Sequence, residues 1–500
     1  MSALCETMPL STLLAGISDV DAADDRVVSD LALDSRTVGA GCCFVALGGR
    51  RDDGWRHAAD AVARGAVAVL AERPHDAVPG SVPVVHVPAL RRLLGDLANR
   101  FFATPSRSVR VFAVTGTNGK TTVAHLAAQA LVALEGAAGY IGTLGAGPLH
   151  ALEANPNTTP DVITINRWLA RLRAAGTPAA TLEASSHALD QGRLDGLRIR
   201  AAAFTNLGRD HLDYHGDMAH YAGAKRRLFE LPEVAAAVIN IDDPFGAELA
   251  AAYACRLPLL TCSSGHGRGA PSQHADLTAH AITLDADGLR FELVAGERRL
   301  PVRTRLIGRF NVDNLLVIAG LLRAGGHDLA TIAGVLGRLE AVPGRLQACG
   351  SNARGARVFI DYAHGPDSLA AVLATLRELD PRRLHVVFGC GGDRDRGKRA
   401  LMGACAEQGA DRVIVTSDNP RSERATDIAA EVLAGMRAPA DAVVIADRAD
   451  AIHAAIGAAG AGDIVLIAGK GHETTQEIDG RRRPFSDYQQ VRLALAGGEA

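Results

Sequence analysis

Lysine is nearly absent from this chain. Of the 53 basic residues among its 500, only Lys120, Lys225, Lys398 and Lys470 are lysine. An exposed solvating cation can be arginine as easily as lysine, so the positions that keep lysine are those needing a compact ammonium or an amine able to lose its charge. Lys120, Lys398 and Lys470 each follow a glycine directly. By residue type that pairing is phosphate chemistry, and the competing explanation is codon bias with four accidental survivors.

Other absences narrow the class. The eight cysteines form no Cys-x-x-Cys pair and no metal-like spacing with histidine, so they read as reduced thiols of a cytoplasmic protein. The first twenty residues lack a basic segment followed by an apolar core, and no apolar run reaches the roughly 18 residues of a membrane span. Export and membrane insertion are not expected. A net charge of -3 gives no general attraction to nucleic acid or to anionic lipid. No fixed-period repeat and no long low-complexity segment is present, although alanine-rich helices are frequent.

What is there is an α/β pattern too long for one core. Residues 43–47, 67–70 and 82–87 are short apolar runs alternating with helical stretches at 55–64 and 90–102, and 103–107 reads as a linker. A second unit opens with a buried strand at 109–114, a glycine loop at 116–122 and an apolar helix to about Leu134. Strand-like runs at 179–182, 201–204 and 235–239 end at polar residues, 276–306 alternates like hairpins, and two helices lead to Pro343. A third unit carries strands near 357–360, 384–388, 412–416, 442–445 and 463–467, separated by helices. The expected architecture is three α/β domains: a small one over 1–106, a central P-loop domain with a parallel sheet and a small antiparallel sheet over 107–343, and a Rossmann-like, mostly parallel domain over 344–500.

Chemistry is expected beyond the carboxyl ends of those strands. In Gly116-Thr117-Asn118-Gly119-Lys120-Thr121-Thr122, backbone N–H groups can wrap phosphates, Lys120 supplies a point charge and Thr121 a Mg2+ ligand. The loop departs from the strict P-loop, since Val114 stands where the first glycine would be. Glu183 after its strand is either a Mg2+ ligand or an ordinary surface carboxylate. His211, in Asp210-His211-Leu212-Asp213, either reaches a second metal or is structural. Beside Arg226 and Arg227, Lys225 by itself reads as part of a solvated basic helix face. Asp418-Asn419-Pro420-Arg421 is either a proline turn or a guanidinium fork for a carboxylate.

Taken in order along the chain, these motifs resemble the Mur ligase family. Asp34-Ser35-Arg36, residues 116–122, Asn157-Thr158-Thr159-Pro160, Glu183-Ala184-Ser185-Ser186-His187, residues 206–213, Lys225, Gly308-Arg309-Phe310-Asn311, Pro343-Gly344-Arg345, Asp361-Tyr362-Ala363-His364, residues 418–421 and Gly469-Lys470-Gly471-His472-Glu473 all carry the likeness. It implies an ATP-dependent enzyme of peptidoglycan precursor synthesis. The form with Asp-Asn-Pro-Arg adds meso-diaminopimelate to the D-glutamate γ-carboxylate of UDP-N-acetylmuramoyl-L-alanyl-D-glutamate through an acyl phosphate.

The resemblance also implies roles for residues. Thr121 and Glu183 would hold one Mg2+, and His211 with a carbamylated Lys225 the other, making Lys120, Glu183, His211 and Lys225 the catalytic set. Nucleotide contacts fall to residues 116–122, Asn311, Arg345 and Asp361. The UDP-muramoyl dipeptide falls to Leu33, Ser35, Arg50, Arg51, Asp52, Asn157, Thr158, Thr159, Ser185, Gln191 and Arg193, although Arg50-Arg51-Asp52 departs from the His-Gln of some relatives. Diaminopimelate falls to Arg394, Asp418, Asn419, Pro420, Arg421, Gly469 and Glu473. The expected partners are small molecules only, with the chain acting as a monomer. A lysine-adding ligase, a folylpolyglutamate synthase and an ATP-gated binding protein are the alternatives weighed against this reading.

Overall fold

The computed structural model describes residues 7–48, 53–74, 82–265, 275–285 and 287–497. Its chain divides into two compact units, one of Met1–Ala279, Leu293–Leu300 and Asp313–Val335, the other of His280–Glu292, Pro301–Val312 and Leu336–Ala500.

Within the first unit, the strands Asp30–Ala32, Cys42–Ala46, Ala66–Ala71 and Val84–His86 pair in that order, all parallel. Parallel neighbours need a crossover between them, which is why turns and a helix separate the apolar runs. The stretch read as one helix at 55–64 is a 3-10 turn, Gly54–His57, leading into the helix Ala58–Ala63. Asp53 explains the break, because its carboxylate accepts from Trp55 N and tightens the entry. The segment read as a linker also has structure: Pro105–Arg107 is a 3-10 turn, and the Ser106 hydroxyl accepts from Arg198 N at 3.1 Å. Arg167 on the helix Val162–Ala174 ties this small sheet to the larger one through Asp30 at 2.9 Å and the Leu31 carbonyl at 2.6 Å.

In the larger sheet the strand Arg110–Thr115 lies between Ala179–Glu183 and Ile199–Phe204, parallel to both. Beyond the first come Gly139–Gly142 and Gly145–Pro148; beyond the second, Ala237–Asn240 and Leu259–Ser263. The chain therefore leaves its first central strand and adds strands on both sides, which makes the carboxyl end of Arg110–Thr115 the crevice where ligands of open α/β sheets bind. All five residues of Ala179–Glu183 are buried, as expected of a strand covered on both faces. The hairpin-like pattern is realised by Leu277–Asp285, Gly288–Ala295 and Arg298–Thr304, neighbours whose short connections permit only antiparallel pairing.

The second unit holds a six-stranded sheet in the order Gln347–Ser351, Arg357–Asp361, Ile464–Ala468, Leu384–Phe388, Arg412–Val415, Val443–Val444. Only the first pair is antiparallel. The mostly parallel Rossmann-like reading is what the chain adopts. The seven cysteines among the described residues are free thiols, and no helix among them is long and apolar enough to cross a membrane.

Candidate active site

The glycine loop leaves its strand beside Thr205 and turns into the helix Lys120–Glu135. Gly119 sits at φ +83°, and a Cβ there would press on the Asn314 amide oxygen, while one at Gly116 would collide with the Thr205 hydroxyl. Only glycine fits both constraints. The Lys120 ammonium folds back over its own loop and donates to the carbonyls of Gly116 and Thr117, both at 2.9 Å.

Glu183 is fully buried at the end of its strand. Its Oε2 accepts from the Thr121 hydroxyl at 2.8 Å and the Thr143 hydroxyl at 3.2 Å, and its Oε1 from Thr143 N and the Tyr140 hydroxyl. The ordinary-surface reading of this carboxylate is thereby overturned. An all-oxygen cluster beside a phosphate loop fits Mg2+, which takes one or two protein oxygens and otherwise water and phosphate. No group of three or more His, Cys, Asp or Glu among the described residues forms a protein-only metal cage.

Lys225 does not lie on a solvated face. It is 1% exposed, its Nζ donates to the Gly116 carbonyl at 2.7 Å and stands 4.3 Å from the Tyr221 ring centre. Burial, then the charge of Lys120, pushes its amine well below the ordinary lysine range. The buried face of the helix Met218–Glu230 is Tyr221, Ala224, Lys225, Leu228 and Phe229, a helical stripe that includes the lysine. Read as a stripe rather than by its basic neighbours, the sequence holds that signal.

His211, at φ +53°, faces the same Tyr221 ring at 6.3 Å and meets the His187 ring edge-on at 4.8 Å. Burial lowers its pKa, with Lys120 and Lys225 adding to the effect against Asp210. His187, close to His215 as well, is lowered to about 4, mainly by burial and then by those two imidazoles. A neutral imidazole is the form that can ligate a metal. Tyr140, Thr143 and Tyr221 have no assigned role in the sequence reading, because nothing in their local sequence distinguishes them from packing residues, and His187 enters there only as the last residue of the Glu183–His187 motif, without a role of its own.

Thr158, Thr159, Ser185, Gln191 and Arg193 gather around Glu183. The Thr158 hydroxyl meets that of Thr143 at 3.1 Å, and the Thr159 hydroxyl donates to the Glu183 carbonyl at 2.6 Å. Arg193 donates to the Thr159 carbonyl at 2.6 Å and clasps the Gln191 side chain, while Ser185 caps the helix Ser186–Asp190. Asn157 is exposed, Leu33 is half-buried and Ser35 is buried in the small sheet's region. Arg50, Arg51 and Asp52 lie outside the described residues.

In the second unit, the Asn311 amide donates to the Ile307 carbonyl at 2.8 Å, and Asp361 accepts from Leu346 N and Ala363 N at 2.6 and 2.7 Å. Burial raises the Asp361 carboxyl, opposed first by Arg345, whose guanidinium lies over the Tyr362 ring at 4.6 Å. Lys398 donates to the His364 carbonyl at 2.8 Å.

Beyond the carboxyl ends of Ile464–Ala468 and Arg412–Val415, Asp418, Asn419, Glu473 and a fully buried Lys470 form one hydrogen-bonded cluster. Arg421, at φ +53°, donates to the Gly392 carbonyl at 2.7 Å, and its guanidinium flanks Gly391 together with the Arg394 stem. Below them the wholly buried Arg448 pairs bidentately with Asp487, both bonds at 2.7 Å. It also donates to the carbonyls of Ala468 at 2.9 Å and Ser417 at 3.4 Å, tying together the strand ends that carry Gly469 and Asp418.

Three family descriptions match along the chain: "Mur ligase family, catalytic domain" over residues 27–102, "Mur ligase middle domain" over 114–322 and "Mur ligase, glutamate ligase domain" over 344–471. A UDP-N-acetylmuramoyl-L-alanyl-D-glutamate--2,6-diaminopimelate ligase of Xanthomonas campestris pv. campestris is 49% identical, with 98% of each chain covered. The enzyme of the same name from Xylella fastidiosa is 47% identical over 99% of this chain and 98% of its own. A solved structure of a ligase bearing that name superposes with a TM-score of 0.71 at 36% identity, covering 99% of this chain and 100% of the other. With matches in all three segments and along nearly its whole length, the chain belongs to the Mur ligase family.

Proposed function

We propose that this protein is an ATP-dependent ligase that adds meso-2,6-diaminopimelate to the D-glutamate γ-carboxylate of UDP-N-acetylmuramoyl-L-alanyl-D-glutamate, in peptidoglycan precursor synthesis. The single observation that carries the reading is the meeting of Lys120, Lys225, Thr121 and Glu183 around one glycine loop. That arrangement suits phosphoryl transfer to a carboxylate, where two anions must be brought together. The substrate pair follows the relatives' names and the Asp-Asn-Pro-Arg segment at 418–421.

The γ-carboxylate oxygen attacks the γ-phosphorus of ATP, ADP leaves, and an acyl phosphate remains. The deprotonated amine of diaminopimelate then attacks the acyl carbon, its nitrogen gives up a proton to solvent or to the departing phosphate, and the tetrahedral intermediate expels phosphate to leave the amide. In this reading loop residues 116–122 hold the phosphates, with Lys120 releasing its loop carbonyls to do so, and Asn311, Arg345 and Asp361 hold the adenosine end. Thr121 and Glu183 would hold one Mg2+, and His211 with an N6-carboxylated Lys225 a second. Mg2+ supplies charge neutralisation between the phosphate and the carboxylate.

Leu33, Ser35, Asn157, Thr158, Thr159, Ser185, Gln191 and Arg193, with Arg50 to Asp52 beyond the described residues, are assigned to the UDP-muramoyl dipeptide. Arg394, residues 418–421, Gly469 and Glu473 are assigned to the amino acid. The matching division of labour is 1–106 for the uridine end, 107–343 for ATP and 344–500 for diaminopimelate.

The deciding experiment measures phosphate release from ATP with the UDP-linked dipeptide, comparing meso-diaminopimelate with L-lysine and identifying the product by mass. Turnover with diaminopimelate alone is expected. Turnover with lysine would overturn the amino-acid assignment, and silence with both would overturn the ligase reading.

A further inference from the structure

Lys470 is 0% exposed, yet it carries a charge into the middle of the cluster assigned to the incoming amino acid. An ammonium has three N–H donors. One goes to Asp418 Oδ1 at 3.4 Å, one to Asn419 Oδ1 at 3.0 Å and one to Glu473 Oε2 at 2.9 Å. None is left for a ligand, so Lys470 can act on a substrate only through those three residues.

What it does to them is specific. The Asn419 oxygen is held between Lys470 and Glu477 N, which turns the Asn419 amide nitrogen toward Glu473 Oε2 at 3.0 Å. Glu473 Oε2 thus takes two donors, while Oε1 has no hydrogen bond among the described residues and the side chain stays 34% exposed. Asp418 likewise keeps Oδ2 unbonded among the described residues. Two carboxylates and one ammonium leave a net charge of -1 at the cluster, which matches a single substrate ammonium.

We infer that Lys470 is a positioning and specificity-determining residue: it locks Asn419 and Glu473 in orientation and sets the cluster's charge so that the site selects an amino acid by its ammonium group. This rests on the assignment of residues 418–421 and Glu473 to the amino acid. Asp418 and Glu473 are the acidic groups facing Lys470 in its cluster; Arg448 lies behind it and Arg421 at the rim. An arginine would not serve at position 470, because its planar fork cannot direct one N–H to each of three residues on different sides.

The test is steady-state kinetics of K470M with the folded state checked by thermal unfolding. The expected result is a KM for diaminopimelate raised about tenfold or more, since a buried pair is broken, with the KM values for ATP and the UDP-linked dipeptide unchanged. In the double variant K470M/E473Q the KM should rise no further than in E473Q alone, because the two residues act as one unit. An unchanged diaminopimelate KM in K470M, or equal rises for all three substrates, would overturn the inference. If K470M does not fold, K470Q, which keeps a side-chain donor without the charge, carries the same expectations and the same overturning results. Absence of diaminopimelate turnover in the wild-type protein would instead overturn the proposed function, so the two failures are distinguishable.

Discussion

Lys120 and Lys225 donate to the same oxygen, the Gly116 carbonyl, at 2.9 and 2.7 Å. Lys225 is the buried one of the two, and its burial, then the charge of Lys120, pushes its amine well below the ordinary lysine range. A neutral amine is a nucleophile toward CO2, its nitrogen bonding to the carbon as a proton leaves. Conversion of Lys225 to a carbamate would replace repulsion of Lys120 by attraction and supply an anionic ligand.

Lys225→Arg should therefore lose activity by about 100-fold or more although its charge is retained, because a guanidinium neither deprotonates nor forms the carbamate. Lys225→Ala should recover part of its activity when short carboxylates are added. Initial rates with and without added acetate or formate check both, and full activity in Lys225→Arg removes the carbamate.

Glu183→Gln should leave the fold intact, since the amide oxygen can still accept from Thr143 N and the Tyr140 hydroxyl while its NH2 donates to the Thr121 and Thr143 hydroxyls, which can turn to accept. It removes the negative charge, so kcat should fall about 100-fold and the Mg2+ concentration needed for half-maximal rate should rise. A Mg2+ titration of wild type and variant reads this directly; identical Mg2+ dependence would make Glu183 structural.

Arg421→Lys should raise the KM for diaminopimelate about tenfold, because a bidentate fork becomes a single point charge, and leave the KM for ATP unchanged. Equal changes in both would assign Arg421 to support of the Gly392 loop instead.

Arg448→Met leaves the Asp487 carboxylate buried without its partner and should cost about 3–5 kcal/mol of stability. The pair Arg448→Met with Asp487→Leu should recover most of that loss. Urea unfolding midpoints of the single and double variants measure both effects.

Much of this was legible in the chain itself. The apolar runs at 109–114, 179–182 and 384–388 are strands within a residue or so of where they were read, because a buried parallel strand is apolar on both faces and needs no partner to be recognised. Motif order was equally plain, since phosphate loops and Asp-Asn-Pro-Arg are local. The 3-10 turns at Gly54–His57 and Pro105–Arg107 were not, because a backbone hydrogen bond to the Asp53 carboxylate and proline geometry decide them over a few residues.

The sequence by itself determined the strand-loop-helix that presents Lys120, the placement of Glu183 at a strand end and the family to which these belong. Only tertiary structure decided what those groups touch. Parallel pairing of Ala179–Glu183 with Gly139–Gly142 brings Tyr140 and Thr143 onto Glu183 from some forty positions earlier, and no local pattern encodes such a register. Packing makes Lys470 the common donor to Asp418, Asn419 and Glu473, and burial beneath Gly116 turns Lys225, which by itself reads as part of a solvated face, into a group whose charge depends on its neighbours. That dependence comes from desolvation and proximity, which exist only once distant segments have packed together.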